Sequence, residues 1–485
     1  MTSISLLWFR RDLRLADNPA LIAAAEQAQA AGGLLLPLFI WERRLYDGSR
    51  SSPNRNWFLR ESLTALREQL RARGSELLEL EGAPDQVLCA LVAELRDIGP
   101  ITLFAANDTT PYATKRDERV TQALRGLEVG FERVGGSALI APGRLLSGSG
   151  TPYRIFTPYY RAWLAALGDG LTPLNAPEAL PAAPPIVMRE YRPNDQAIAA
   201  ASRPSAARAL LPLPGEPAAR AQADAWLAAG ETIDHYAERR DRLAQTGGSS
   251  RLSAALHLGL LSPRELAARL LPLQEGSSRA AWLRQLAWRD FYIEVLANAP
   301  HAATGAWRPA YDAIEWEQDP EGFAAWCEGR TGYPVIDAAM RELRQSGLMH
   351  NRARMIVASF LVKDLLIDWR RGETHFMRHL VDGDVAANNG GWQWSAGSGT
   401  DAQPYFRILN PVRQSERFDP DGTYLRRWLP ELAALPDQAL HAPWEHPEAL
   451  ATAGIVLGRD YPAPIVDHAA ARARTLERFG RVLKR

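Results

Sequence analysis

The stretch Ser5-Leu6-Leu7-Trp8-Phe9-Arg10-Arg11-Asp12-Leu13-Arg14-Leu15-Ala16-Asp17-Asn18-Pro19-Ala20-Leu21-Ile22-Ala23-Ala24-Ala25-Glu26 decides the fold of the N-terminal region. An apolar run at 5–9 reads as a short strand, a charged cluster follows, and a helical pattern covers 18–30. Outward from it the same unit recurs. Runs at 34–41, 76–80 and 101–106 read as further strands, and 54–73 and 85–97 read as helices. Strand and helix in regular alternation predict a doubly wound parallel sheet, an α/β domain over residues 1–135. Ligands on such sheets sit at the carboxyl ends of the strands. No GxGxxG follows the first strand, so a dinucleotide site of the usual kind is not expected there.

Ten prolines fall in the 45 residues from Pro173 to Pro217, within a long Pro-rich connector assigned to 136–220. Beyond it strand patterns fade and helical periods dominate. Eleven of the fifteen tryptophans lie between Trp226 and Trp444, and residues 221–485 read as one all-helical domain.

The counts set outer limits. A chain of 485 residues has room for two to four domains, and 46% hydrophobic with 23% charged residues excludes a disordered or fibrous chain. Fifty-six basic against 56 acidic residues argues against a surface that attracts nucleic acid or membrane everywhere, while leaving room for a local groove. Between residues 341 and 427 there are 13 basic and 10 acidic residues, which predicts few phosphate contacts. Cys89 and Cys327 are too few for a four-thiolate cluster, a zinc site of that type or a disulfide framework, and they fit a reducing compartment. Only three of the basic residues are lysine; arginine suits phosphates and aromatic faces, although a GC-rich genome gives the same skew. No apolar run reaches membrane-spanning length and no secretory signal opens the chain, so a cytoplasmic monomer with no membrane partner is expected.

Four constellations carry chemistry. Gly247-Gly248-Ser249-Ser250-Arg251-Leu252-Ser253 leads into a helical stretch, and small residues with hydroxyls and an arginine at a helix start suit a pyrophosphate or a serine cap. Gln285, Trp288, Arg289 and Tyr292 recur at helical spacing on one face, where a glutamine and an arginine are expensive to bury and suggest a pocket wall. In Leu348-Met349-His350-Asn351-Arg352-Ala353-Arg354, Asn351 and Arg354 share a face and His350 reads as structural. Asp382-Gly383-Asp384 followed by Asn388-Asn389-Gly390-Gly391-Trp392-Gln393-Trp394 lacks the ligand spacing of a calcium loop, and no metal is assigned. It suits a polar heterocycle with aromatics beside it.

The run from Trp8 to Asn18 resembles the opening signature of the DNA photolyase/cryptochrome family. Thr331-Gly332-Tyr333-Pro334-Val335-Ile336-Asp337-Ala338-Ala339-Met340, the run 388–394 and the run 399–407 resemble further blocks of it, in order along the whole chain. The likeness is greatest to its class I cyclobutane-dimer branch. It implies an α/β domain, a connector and a helical domain holding FAD, active when reduced. It also implies UV-damaged DNA as partner and an antenna chromophore, folate or deazaflavin, for which the segments 107–112 and 41–55 are the places to look.

By the same resemblance, Tyr236 and Ser249, Ser250, Arg251, Leu252 and Ser253 hold the flavin's phosphate side, and Trp282, Arg289 and Asn351 help line its pocket. Arg354 and Asp382 form an ion pair over the ring, Asp384 bonds its polar edge, and Asn388 lies near N5, free to shift its hydrogen bond with flavin state. Trp288 and Trp394 receive a flipped dimer, with Gln285, Tyr292, Asn351, Arg352 and Met355 beside it or its backbone. Trp392, Trp369 and Trp316 carry an electron between surface and flavin. The function implied is light-driven repair of cyclobutane pyrimidine dimers by electron transfer from photoexcited FADH⁻, the alternatives being a blue-light photoreceptor or a (6-4) photolyase. Asn351 and Met355 stand where (6-4) enzymes usually carry histidines, and Asn388 where plant cryptochromes carry Asp. Two residues depart from the dimer-repair pattern: Gln285 replaces a Glu and Leu348 a Trp.

Overall fold

The computed structural model describes residues 2–483 apart from Asp169, Val187, Arg189, Glu231, Thr246 and Gln403, so Gln403 of the family-like run 399–407 lies outside the described residues. Five parallel strands, β1 (Ile4–Phe9), β2 (Leu34–Trp41), β3 (Leu78–Glu81), β4 (Ile101–Ala105) and β5 (Gly130–Arg133), pair in the order β3-β2-β1-β4-β5. β1 is buried on both faces, as its unbroken apolar run requires. Ile4, Leu6 and Trp8 join one core with the Pro84–Leu95 and Pro111–Arg125 helices, while Leu7 and Phe9 join another with the Pro19–Ala30 and Pro53–Arg71 helices. The sheet is therefore doubly wound. β5 is the strand that the sequence pattern did not reveal: Phe-Glu-Arg at a sheet edge, largely exposed, has no apolar run to detect.

The order of the strands reverses beside β1. The charged residues that follow β1 and β4, Arg10 to Asp17 and Asn107 to Thr110, thus gather at the carboxyl ends and meet the second domain. Arg264 and Ser262 bond to Asp17, and the Glu216 carboxylate accepts from the Leu15 and Ala16 N–H groups at 2.7 and 3.1 Å.

The connector is not a free tether. Phe156–Leu167 is helical and buries Phe156, Tyr159, Trp163 and Leu167, while Leu180 and Met188 fill the two cores of the α/β domain. Prolines suppressed periodicity there without preventing burial. Beyond it the chain is helical, with one isolated bridge between Leu457 and Tyr461 among the described residues. Among the described residues no helix is long and apolar enough to cross a membrane.

His350 is structural, as its sequence suggested. Its ring Nδ1 accepts from the Arg352 backbone N–H at 3.1 Å and caps the Asn351–Ser359 helix, which carries five cavity residues. Burial depresses the imidazole pKa from 6.5 to about 4. A depressed histidine contributes stability that is present above the unfolded value and lost as pH falls through the folded one. His350→Asn, which keeps a cap, should therefore flatten that part of the thermal-unfolding profile between pH 6.5 and about 4. His350→Ala should cost about 1 kcal/mol at neutral pH. Parallel pH dependence of melting temperature in parent and His350→Asn would refute this.

Candidate active site

Four helices meet around one cavity of about 550 Å³: Ser253–Leu258, Ser278–Asn298, Asn351–Ser359 and Val385–Ala396. The turn 380–384, after the Trp369–His379 helix, completes its wall. Such a volume is within the range of small-molecule and cofactor sites.

Burial divides the lining in two. Asp382, Asp384, Asn388 and Trp392 are buried; Gln285, Trp288, Arg352, Met355 and Trp394 are half-buried and Asn351 is exposed. The inner part is charged and hydrogen-bonded. Arg354 donates to both oxygens of Asp382 at 2.8 and 3.1 Å. Asp384 caps the Val385–Ala396 helix, accepting from Ala387 N–H at 2.9 Å, and pairs with Arg11 of the α/β domain. Burial would raise the Asp384 pKa, but Arg11, with His257 and Arg289, overrides it and holds the carboxyl well below the usual range. His257, 3.5 Å from Asp384, is pushed down to about 4 by burial and is neutral at physiological pH.

Asn388 is fixed rather than free. Its Nδ2 donates to the carboxylate of Glu373 at 3.0 Å and to the Glu373 carbonyl at 3.1 Å, and Arg50 of the α/β domain pairs with Glu373. Both amide protons are thereby used, leaving the amide oxygen as the group available to a ligand. The resemblance implied an amide that shifts its bond with ligand state; this anchoring argues for a fixed acceptor instead. Gln285 likewise turns Nε2 back onto the Ala281 carbonyl at 3.0 Å.

The outer part is aromatic. Trp288 is backed by Phe156 of the connector, ring centroids 3.6 Å apart and planes 7° from parallel, so one face is packed and the indole cannot rotate freely. The Val385–Ala396 helix presents bare backbone at Gly391, where a Cβ would meet nothing within 4 Å, and at Gly390 a Cβ would overlap Tyr292.

The cavity unites Ser250, Leu252, Ser253, Trp282, Gln285, Trp288, Arg289, Tyr292, Asn351, Arg352, Arg354, Met355, Asp382, Asp384, Asn388, Trp392 and Trp394 of the residues singled out from sequence. Five lie outside its lining. Ser249 and Arg251 are exposed at its rim, and Tyr236 packs edge-on against Trp226, which in turn lies 6.5 Å from Trp282. Trp369 is buried behind the wall and Trp316 is half-buried beyond it. Trp392 rests on the helix that Trp369 begins, over Gly372, where a Cβ would overlap the indole; Glu317 N–H bonds to the Leu366 carbonyl at 2.8 Å, tying the Trp316 segment to the turn before Trp369. Leu348 sits in the core, outside the lining. Sequence reasoning missed His257, Phe376 and Leu380; His257 lies inside the helical stretch already marked after Ser253, where a polar residue in an apolar turn was the available sign.

A second cleft, about 290 Å³, opens where the strand order reverses, between the domains. Asn107 and Thr109 line it, with Arg14, Asp17, Ser137 and Arg264. The segment 41–55 is used differently: Trp41 and Tyr46 are buried and bonded to Glu79 and Glu81, and Arg50 and Arg55 point to the helical domain.

A doubly wound domain docked on a helical one, around a cavity that is charged inside and aromatic outside, gives the protein a site suited to an aromatic cofactor. The description "DNA photolyase" matches residues 5–182, and "FAD binding domain of DNA photolyase" matches 282–481. The deoxyribodipyrimidine photo-lyase of Salmonella typhimurium is 42% identical, over 98% of this chain and 98% of its own length. A crystal structure of a class III photolyase from Agrobacterium tumefaciens is similar with a TM-score of 0.88 at 36% identity, covering 100% of this chain and 98% of that one. A Synechocystis cryptochrome gives 0.89 at 30% identity, covering 98% and 99%. The chain belongs to the DNA photolyase family.

Proposed function

We propose that this chain is a deoxyribodipyrimidine photo-lyase: it uses light to split cyclobutane pyrimidine dimers in UV-damaged DNA, with reduced FAD as electron donor. The observation that carries the reading is the two-part cavity, a buried charged interior opening through an aromatic mouth. The interior fits the flavin. Bare backbone at Gly391, the Arg354–Asp382 pair, the Asp384 carboxylate and the free oxygen of Asn388 offer a polar heterocycle matched donors and acceptors. Ser250 and Ser253 would take its phosphate side. When bound and reduced, FAD supplies the electron that opens the cyclobutane ring on excitation.

The chain's own groups do the rest. Trp288 and Trp394 give an extruded dimer two aromatic surfaces, and a lesion that pairs poorly leaves the stack most cheaply. Gln285 spends one Nε2 proton on the Ala281 carbonyl and keeps the other proton and its oxygen for a ligand. Trp392 and Trp369 are buried and Trp316 is half-buried, which fits a path from the cavity toward the surface.

Dimer-specific repair is supported by Asn351 and Met355 at the mouth, where (6-4) enzymes usually carry histidines, and the class I branch is the subclass we assign. The likeness to both a class III photolyase and a cryptochrome means that architecture alone does not separate these relatives. The cleft lined by Asn107 and Thr109 is the place we assign to an antenna chromophore, a folate or deazaflavin. We place the protein in the cytoplasm as a monomer.

The test is loss of dimers from UV-treated duplex DNA under blue light with reduced holoprotein. Persistent dimers with a photoactive flavin would make it a photoreceptor, and repair of (6-4) products alone would make it a (6-4) enzyme. Gln285→Glu should keep or raise the dimer repair yield, since Glu is the residue that the dimer-repair pattern carries at this position; a sharp fall in quantum yield would contradict that role.

A further inference from the structure

The α/β domain reaches into the cofactor cavity's supporting shell with a residue that neither its sequence context nor the likeness to relatives singles out for a role there. Arg55, on the Pro53–Arg71 helix, donates through Nη1 to the carbonyls of Met377 and Leu380 at 3.0 and 3.1 Å and through Nη2 to the Arg50 carbonyl at 2.8 Å. All three acceptors are backbone carbonyls, two of them at the C-terminal end of the Trp369–His379 helix, where partial negative charge collects. The same guanidinium lies against Gly383, so closely that a Cβ there would overlap Nη1. Gly383 separates Asp382 from Asp384, and the charge of Arg55 acts on both.

We infer that Arg55 is a positioning residue for the flavin site: from the other domain it fixes the turn 380–384, and so sets where Asp382 and Asp384 meet the cofactor and how much negative charge they show it. The inference rests on the reading that the cavity takes FAD. Three features favour a positioning role over simple packing. Burial lowers the Arg55 pKa to about 10, an expense that no directly bonded carboxylate offsets. Its donors go to main chain rather than side chains, which fixes a backbone path. Finally, Gly383 leaves room for the guanidinium that a Cβ there would take.

The experiment uses full-length FAD-loaded protein and reads two quantities: FAD dissociation constant and flavin midpoint potential by anaerobic titration. Arg55→Met should weaken FAD binding roughly tenfold or more, the scale on which outer partners of a bound group act. It should also move the potential downward, because a positive charge is lost near a ring that gains electrons. Arg55→Lys restores the charge without the fork, so the potential should return toward the parent while affinity stays reduced. Gly383→Ala displaces the guanidinium without altering any charge and should reproduce the affinity loss; it decides the matter should Arg55→Met fail to fold. Parent-like affinity and potential in folded Gly383→Ala and Arg55→Met would overturn the inference. A parent that retains no FAD would instead overturn the functional reading beneath it.

Discussion

Trp392→Phe is expected to cut photoreduction of oxidised bound flavin by an order of magnitude or more, while repair by chemically reduced protein stays near the parent level. The two processes differ in where the electron originates. Photoreduction draws it from the protein, and Trp392 is the oxidisable ring that lines the cavity and rests on the helix leading to Trp369. Phenylalanine fills nearly the same space but is far harder to oxidise, so packing survives and the electron path does not. Repair needs only an electron already on the flavin. Flash photolysis of oxidised holoprotein, followed by a dimer assay after dithionite reduction, separates the two. Equal photoreduction in variant and parent would remove Trp392 from the path.

The second large effect concerns Asn388. Asn388→Asp should destabilise the protein increasingly as pH rises. The new carboxylate would stand about 3 Å from that of Glu373, where Asn388 now donates. Burial, only partly offset by Arg50, already raises the Glu373 pKa. Two carboxyls at that separation cannot both ionise cheaply, so the pair keeps one proton and its second pKa rises well above the carboxylate range. A raised folded-state pKa contributes stability below the unfolded value and forfeits it as pH climbs through the folded one. The difference in unfolding free energy between parent and variant should therefore grow from acid to neutral pH, by about 1.4 kcal/mol for every tenfold by which folding tightens the pair's hold on that proton. A variant whose deficit is constant from pH 4 to 8 would show that Glu373 and residue 388 are not coupled.

Much of this site could be read from the chain because its parts announce themselves locally. Gln285, Trp288, Arg289 and Tyr292 fall on one helical face, and Asp382 to Trp394 crowd acids, amides and indoles into thirteen residues. β1 to β4 were equally legible as apolar runs. What escaped detection is non-local. Arg50 and Glu373 are 323 residues apart, and Arg55 and Met377 322, so no period or spacing ties them together. By sequence, Arg50 and Arg55 belong to a segment 41–55 where an antenna is expected, and the fold turns them to the other domain instead. β5 escaped for another reason: an edge strand with polar residues on both faces gives the alternation rule nothing to work on. The connector was hard to read because ten prolines from Pro173 to Pro217 hide any period, and the Phe156–Leu167 helix lies upstream of that run.

Gly372 is a poor helix former in the middle of the Trp369–His379 helix, where alanine would favour the helix by about 1 kcal/mol. Any programme that hardens this protein by replacing helical glycines would choose it early and would push Trp392 off its seat. Under the electron path proposed above, thermal robustness and electron transfer compete at that residue, and its lost propensity measures the stability given up to keep the indole close to the helix behind it.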